Sequence, residues 1–391
     1  MAATIDHFRV SCGDQTLITF ESGKTLLIDC NIRASADDPK DDTPDVAQQL
    51  KDRLATDGEG RPYVDAMMLS HPDIDHIRGF IKHFHVGPIA DYVKGSNKII
   101  VREMWSSPLV FRRASKNHVL GEDAKAWAKE ARRRVQKFKD FAWLDIGDKI
   151  LIMGEDVDGK TDNLGAILVK GDQTWSNIAG MYEAHFEGLL LAPIKADDDA
   201  VEETLTKNNS SIIAQLKIGA GNSSDACRIL VGGDAEVAIW EKLWARHKDF
   251  KDRLSYDLLL TPHHCSWHSL SYDSWSKKGE EAKVCQDARD ALGQARAGAK
   301  FIASSKTITD DDADPPCIRA KREYEAIAKD VKGEFICLGD SGPEPLTFEI
   351  QASGLKEKVV KAAVKAALAT PMLGAKTVSH GVLGSKTVGH G

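Results

Sequence analysis

The sequence has no surplus of positive charge, no long apolar run and no closely spaced cysteine pair. Lys and Arg total 52 against 59 Asp and Glu, a formal net charge of −7. A protein that coats nucleic acid through bulk charge is therefore excluded, and any nucleic-acid contact has to be local. The longest apolar stretch, Gly188-Leu189-Leu190-Leu191-Ala192-Pro193-Ile194, is strand-sized and broken by proline. It falls far short of the ~20 residues that cross a bilayer. The segment Met1 to His7 has no basic region followed by an apolar stretch, so no signal peptide is visible. Seven cysteines are scattered without a Cys-x-x-Cys pair. That fits reduced thiols in the cytoplasm better than a disulfide framework or a Cys-based zinc site. With 42% hydrophobic residues over 391 positions, the chain can bury a large core, and disorder of the whole is ruled out.

Turn signals and apolar runs set the expected order of elements. Phe8-Arg9-Val10 and Thr16–Phe20 read as strands around a Gly13-Asp14 turn, followed by Thr25–Cys30. A helix is expected around 44–55 and a buried strand over Tyr63–Leu69. Residues 96–140 read as an inserted helical section, with a helix over Ala124–Phe138 and the basic stretch Arg132-Arg133-Arg134 with Lys137 and Lys139. That basic run is either a solvated helix face or a strip facing substrate. Strands return at Lys149–Met153, Ser211–Ile218, Arg228–Val231, Leu258–Pro262, Lys300–Ser304 and Glu334–Leu338. Alternating strands and helices together with hairpins predict mixed sheets with helices outside. The globular domain is expected over 1–350, an Ala/Val/Lys amphipathic helix within 351–371, and a flexible tail over 372–391. The tail holds two decapeptides, Met372–Gly381 and Val382–Gly391, identical at seven of ten positions.

The chemistry concentrates at strand ends. His71-x-Asp73-x-Asp75-His76 leaves the Tyr63–Leu69 strand and puts four potential metal ligands within six residues. In extended chain His71, Asp73 and Asp75 project to one side. Burying such groups together without a cation is costly. Leu230-Val231-Gly232-Gly233-Asp234 places a carboxylate after a second strand, and Leu258–Pro262 ends in His263-His264 after a third. Together these three ends are ordered as a dinuclear metal site requires.

These segments, with Asn208-Asn209-Ser210-Ser211-Ile212-Ile213 and Pro262-His263-His264-Cys265-Ser266, resemble the metallo-β-lactamase fold superfamily. The likeness covers roughly residues 5–350. The branch it looks most like is the soluble hydrolase domain of the DNA-uptake channel ComEC. The resemblance implies a four-layer αβ/βα sandwich with mixed sheets and metals at one edge. It implies two divalent cations, Zn or Mn. Asp75, His76 and one of His263/His264 would hold the first, with His263 favoured; His71 and Asp73 would hold the second, and Asp234 would bridge. Asp29, ending Leu27-Ile28-Asp29, would support the site. Asp75, Asn208, Ser211 and His264 are the candidate catalytic and substrate-contacting groups. Asp73 and the Asn208–Ser211 segment stand where the wider superfamily carries histidines, and Cys265 stands where relatives carry glycine.

The expected activity is hydrolysis by a hydroxide bridged between two metals. A phosphodiester in a nucleic acid or nucleotide is favoured, because three carboxylates make the ligand set oxygen-rich. Lys306 is a further candidate phosphate contact, and His268 a candidate substrate contact. His83 and His85 read as packing or surface groups. A reading from another class makes the chain an effector or regulated protein of a larger defence-type system. Its repeat tail would then be a docking, processing or conjugation handle for a protein partner. No membrane partner is expected.

Overall fold

Residues 63–69 read Tyr-Val-Asp-Ala-Met-Met-Leu, too continuously apolar for a sheet with one wet face. The strand Tyr63–Leu69 accordingly lies inside a sheet, between the parallel strands Thr25–Ile28 and Ile100–Ser106. The computed structural model describes residues 2–37, 41–111, 120–156, 159–193 and 208–358. Among the described residues the strands form two large mixed sheets and one small hairpin. The first sheet has nine strands, in the spatial order Gly354–Glu357, Leu346–Gln351, Ala3–His7, Thr16–Thr19, Thr25–Ile28, Tyr63–Leu69, Ile100–Ser106, Lys149–Met153 and Leu168–Val169. The second has seven: Glu334–Cys337, Ala295–Ala303, Tyr256–Leu260, Ser223–Val231, Ile213–Ala220, Phe186–Ala192 and Thr174–Trp175. Each sheet is antiparallel in one half and parallel in the other.

Side-chain alternation along these strands builds the layers. Leu26 and Met68 of the first sheet join Ile229 and Leu258 of the second in one apolar cluster between the sheets. Their neighbours Leu27 and Met67 point the other way, onto Leu50, Phe80 and Trp127 from helices. Leu230 and Leu259 likewise turn outward onto Trp240, Leu243, Ala291 and Tyr324, from the helices Val237–His247, Gln286–Leu292 and Ile318–Asp330. The order is helix, sheet, sheet, helix, the four-layer αβ/βα sandwich expected.

Several local expectations are corrected. The first strand is Ala3–His7, and Phe8 to Gln15 form a loop that folds toward the strand ends rather than a tight turn. The section 96–140 is not purely helical. Ile100–Ser106 is an interior strand of the first sheet, because its apolar residues fill the space between Tyr63–Leu69 and Lys149–Met153. The helix itself runs Glu122–Phe141. Much of its basic run is engaged internally, while Arg132 and Lys139 are exposed. Arg133 and Arg134 both bond Glu130, Arg133 and Lys137 pair with Asp148, and Arg132 donates to the Val110 carbonyl at 2.6 Å. Arg134 is buried and also donates to the carbonyls of Val101 and Lys149. At the other end, the edge strand Gly354–Glu357 carries the sheet past residue 350, so Leu355 lies in a strand, not in the helix expected there. Residues 359–391, with the rest of that helix and both decapeptides, lie outside the described residues. Among the described residues no helix is long and apolar enough to cross a membrane.

Candidate metal centre

Four strands from the parallel halves of the two sheets end at one place. Thr25–Ile28 delivers Asp29, Tyr63–Leu69 delivers Ser70 and His71, Ser223–Val231 delivers Asp234, and Tyr256–Leu260 delivers His263 and His264. Clefts outside the carboxyl ends of strands are where open α/β sheets bind ligands. The backbone is forced there. Gly233 has φ +48, and a Cβ on it would lie 3.0 Å from Ser211 Oγ and 3.1 Å from Ser70 Cβ. His263, His264 and Cys265 have φ of 52°, 53° and 70°. Left-handed backbone costs a non-glycine residue roughly 1–2 kcal/mol. The strain is held by His263 N–H donating to Gly233 O and Cys317 N–H to Cys265 O, both 3.0 Å. It turns both imidazoles inward.

Asp234 is the hub. Its Oδ1 lies 3.0 Å from His76 Nε2 and 3.6 Å from His264 Nε2, and His264 Nε2 lies 3.3 Å from Asp75 Oδ2. Its Oδ2 lies 3.5 Å from His71 Nε2 and 3.6 Å from His263 Nε2, and His71 Nε2 lies 3.9 Å from Asp73 Oδ2. Two ligand sets thus flank one carboxylate. His76 and His264 approach to 3.2 Å between Nε2 atoms, and His71 Nε2 is buried without a hydrogen-bond partner. Nε2 atoms turned toward one carboxylate, one of them orphaned, are what a metal-binding set looks like without its cation. The residues therefore fit a bound metal.

The opposite ring nitrogens are held from behind. His76 Nδ1 donates to Asp29 Oδ2 at 2.8 Å. His71 Nδ1 meets Ser70 Oγ at 3.1 Å, and that hydroxyl donates to Asp29 at 2.6 Å. Electrostatics follow from crowding. Burial pushes the Asp234 pKa up, but the neighbouring imidazoles of His76, His264 and His71 outweigh it and hold the carboxyl well below its usual range. Burial opposes the charged form of His76 too, yet Asp234 and Asp29 raise its pKa well above normal. Asp75 is shifted down against its burial by His264 and His76. Protons on His76 and His264, whose pKa values the surrounding carboxylates raise against burial, would be displaced by a metal held there.

The structure brings most of the residues singled out in the sequence to one place. His71, Asp73, Asp75, His76 and Asp234 converge. Of the histidine pair, His264 rather than His263 lies with Asp75 and His76, and its side chain is buried. His263 faces the other oxygen of Asp234 and completes the set with His71 and Asp73, where the Asn208–Ser211 segment carries no imidazole. The cause is the left-handed turn, which sends successive rings to opposite sides of Asp234. Asn208 donates to Glu236 at 3.3 Å, and the buried Ser211 Oγ lies against Gly233 without a hydrogen-bond partner. Cys265 is fully buried in the outer apolar cluster. His83 is buried in the short helix Phe80–His83, His85 bonds the Pro88 carbonyl, and His268 lies 3.8 Å from Asp314.

Asp14 escapes the sequence reading. It forms one compact group with His76, Asp234 and His264 that could hold a metal ion. The available signal was its Gly13-Asp14 pair, the same dipeptide as Gly233-Asp234.

No family model matches the chain, and no curated protein matches it. Among solved structures it is similar to a Parabacteroides distasonis protein whose crystal structure is named "Putative metal-dependent hydrolase". The identity is 10%, the TM-score 0.32, and the match covers 84% of this chain and 90% of that one.

Proposed function

We infer that the protein is a metal-dependent hydrolase that cleaves phosphodiesters in a nucleic acid or nucleotide with two divalent cations, Zn or Mn. The observation that carries this reading is the pair of His/Asp sets on the two oxygens of Asp234. His76, His264 and Asp75 would hold one cation, and His71, Asp73 and His263 the other, with Asp234 shared. Such a pair, when bound, lowers the pKa of water and neutralises charge on a phosphoryl group. Three carboxylates in the set favour hard or borderline cations.

The chain's own residues set the direction of approach. His71, His76, His264 and Asp234 are the buried floor. The side chains of Asp73, Asp75 and His263 are 28%, 31% and 17% exposed, so substrate enters over them. Lys306 is exposed and is a candidate phosphate contact. Ser211 Oγ is buried without a hydrogen-bond partner against Gly233, which precedes Asp234. With a net charge of −7 and the Arg132–Lys137 run engaged internally, small nucleotides or single-stranded ends are favoured over long duplex. All seven cysteines are free thiols, which supports a reducing compartment such as the cytoplasm.

The test is metal analysis of the purified full chain, then incubation with single- and double-stranded DNA, RNA and cyclic nucleotides under Mn²⁺ and Zn²⁺. Asp75→Ala, His76→Ala and Asp234→Asn are the controls. Cleavage by the wild type that disappears in all three supports the reading. Cleavage that persists in them, or a wild type that hydrolyses no phosphodiester, rejects it.

A further inference from the structure

We propose that Asp14 is a positioning residue for His264, the carboxylate that fixes this ring so that Nε2 serves the cation of the Asp75/His76 set. The proposal rests on the metal-centre reading above. Two of the inner rings already have a partner behind them: Asp29 for His76 and Ser70 for His71. His264 Nδ1 is buried and completes no hydrogen bond. On that side stands Asp14, with Oδ1 at 3.8 Å from His264 Nδ1 and Oδ2 at 3.7 Å from His76 Nδ1. The His76 atom is already taken by Asp29, so His264 is the ring left for Asp14 to serve.

The 3.8 Å gap to His264 lies about 0.6 Å beyond hydrogen-bond range. His264 Nε2 lies 3.3 Å from Asp75 Oδ2. When Nε2 serves a cation, the ring proton is confined to Nδ1, and Nδ1–H faces the Asp14 carboxylate. Carboxylates behind metal-binding histidines act this way, fixing tautomer and ring orientation.

Asp14 is not a chance neighbour. Its loop is pinned to both sheets. Asp14 N–H donates to Asp75 O at 3.2 Å, Ser304 Oγ to Gly13 O at 2.5 Å, and Asn31 Nδ2 to Cys12 O at 3.0 Å. Gly13 has φ +141, and a Cβ there would lie 2.0 Å from Asn31 Nδ2 and 2.6 Å from Asp75 O. Among the described residues no Lys or Arg pairs with the Asp14 carboxylate, whose charged neighbours are His264, His76, Asp29 and Asp234. A buried carboxylate with no cationic side chain beyond two imidazoles is costly unless it has a task.

The discriminating feature is that Asp14 backs only one of the two ligand sets. Zn²⁺ alone is titrated calorimetrically into the metal-free full chain, as wild type, Asp14→Asn and Asp14→Ala, and the metal-free proteins are melted in parallel. The expected result is two binding events in the wild type. One of them is weakened about 10–100-fold in both variants. The other is unchanged, and the metal-free variants melt no lower than wild type. Two unchanged events would overturn the role of Asp14 and leave the metal centre standing. Equal weakening of both events with a lowered melting temperature would make Asp14 merely structural and also overturn it. A wild type that binds no zinc would remove the metal centre itself, and this proposal with it.

Discussion

The Asp29 carboxylate accepts a hydrogen bond from His76 Nδ1 at 2.8 Å while its two oxygens also accept the Ser70 N–H and hydroxyl, each at 2.6 Å. One side chain thereby locks the end of the Tyr63–Leu69 strand and aims His76 Nε2 at Asp234. Asp29 itself has φ +55, a conformation its neighbours have to impose.

Replacing Asp29 with Ala should therefore act twice. Metal affinity should fall about 10–100-fold, the usual cost of losing a partner behind a ligand. The metal-free protein should also melt lower, because bonds to a charged acceptor contribute about 1.5–3 kcal/mol each. Zinc titration and thermal melts check both. A variant with native affinity would show that His76 needs no such support.

Gly233→Ala tests the hub. The added methyl meets Ser211 and Ser70 at 3.0–3.1 Å on a left-handed backbone. A loss of about 1–3 kcal/mol is expected, with lowered metal content from displacement of Asp234. Chemical denaturation and elemental analysis of the purified variant measure the two effects.

Glu130→Gln tests whether the basic helix is internal. Arg134 would remain buried with its charge unpaired, and losing one partner of a buried pair costs about 3–5 kcal/mol. Arg132→Ala should cost much less, and should leave KM for a nucleotide substrate unchanged. A raised KM in Arg132→Ala would return that helix to the substrate surface.

His7 predicts acid sensitivity away from the centre. It is fully buried, hydrogen-bonded to Thr16, and burial lowers its pKa to about 3. The unfolded chain binds this proton near pH 6.5. The folded form refuses it down to about pH 3, so stability is full above ~6.5 and falls as pH drops through that window. His7→Gln should gain about 2 kcal/mol relative to wild type between pH 7 and pH 5. Urea unfolding in chelator at the two pH values reads the difference; parallel curves would mean that His7 is protonated in the fold.

Elements buried on both faces were legible because apolar residues dominate them, with only Asp65 in Tyr63–Leu69 and the terminal Lys149 in Lys149–Met153 as charged members. Tyr63–Leu69 and Lys149–Met153 begin and end where the residue pattern puts them. Ile100–Ser106 was missed because Arg102 and Glu103 interrupt its apolar run; Glu103 is in fact buried, bonded by Trp105 Nε1 at 2.9 Å and Ala179 N–H at 3.0 Å. The charges of the Arg132–Lys137 run were plain, but their partners Asp148 and Val110 are 11 and 22 residues from the groups they bond.

The candidate ligands His71, Asp73, Asp75, His76, Asp234, His263 and His264 could be named from the chain alone, because a His/Asp group that follows a buried strand has its direction set by local alternation and turn chemistry. Which ring belongs to which oxygen of Asp234 could not. That depends on three consecutive left-handed residues after Pro262, a strained path that only contacts from Gly233 and Cys317 stabilise. Asp14 was hidden for the same reason. Its Gly13-Asp14 pair reads as an ordinary turn, and it reaches the histidines because its loop is bound to Asn31, Asp75 and Ser304, which the fold brings from different strand ends.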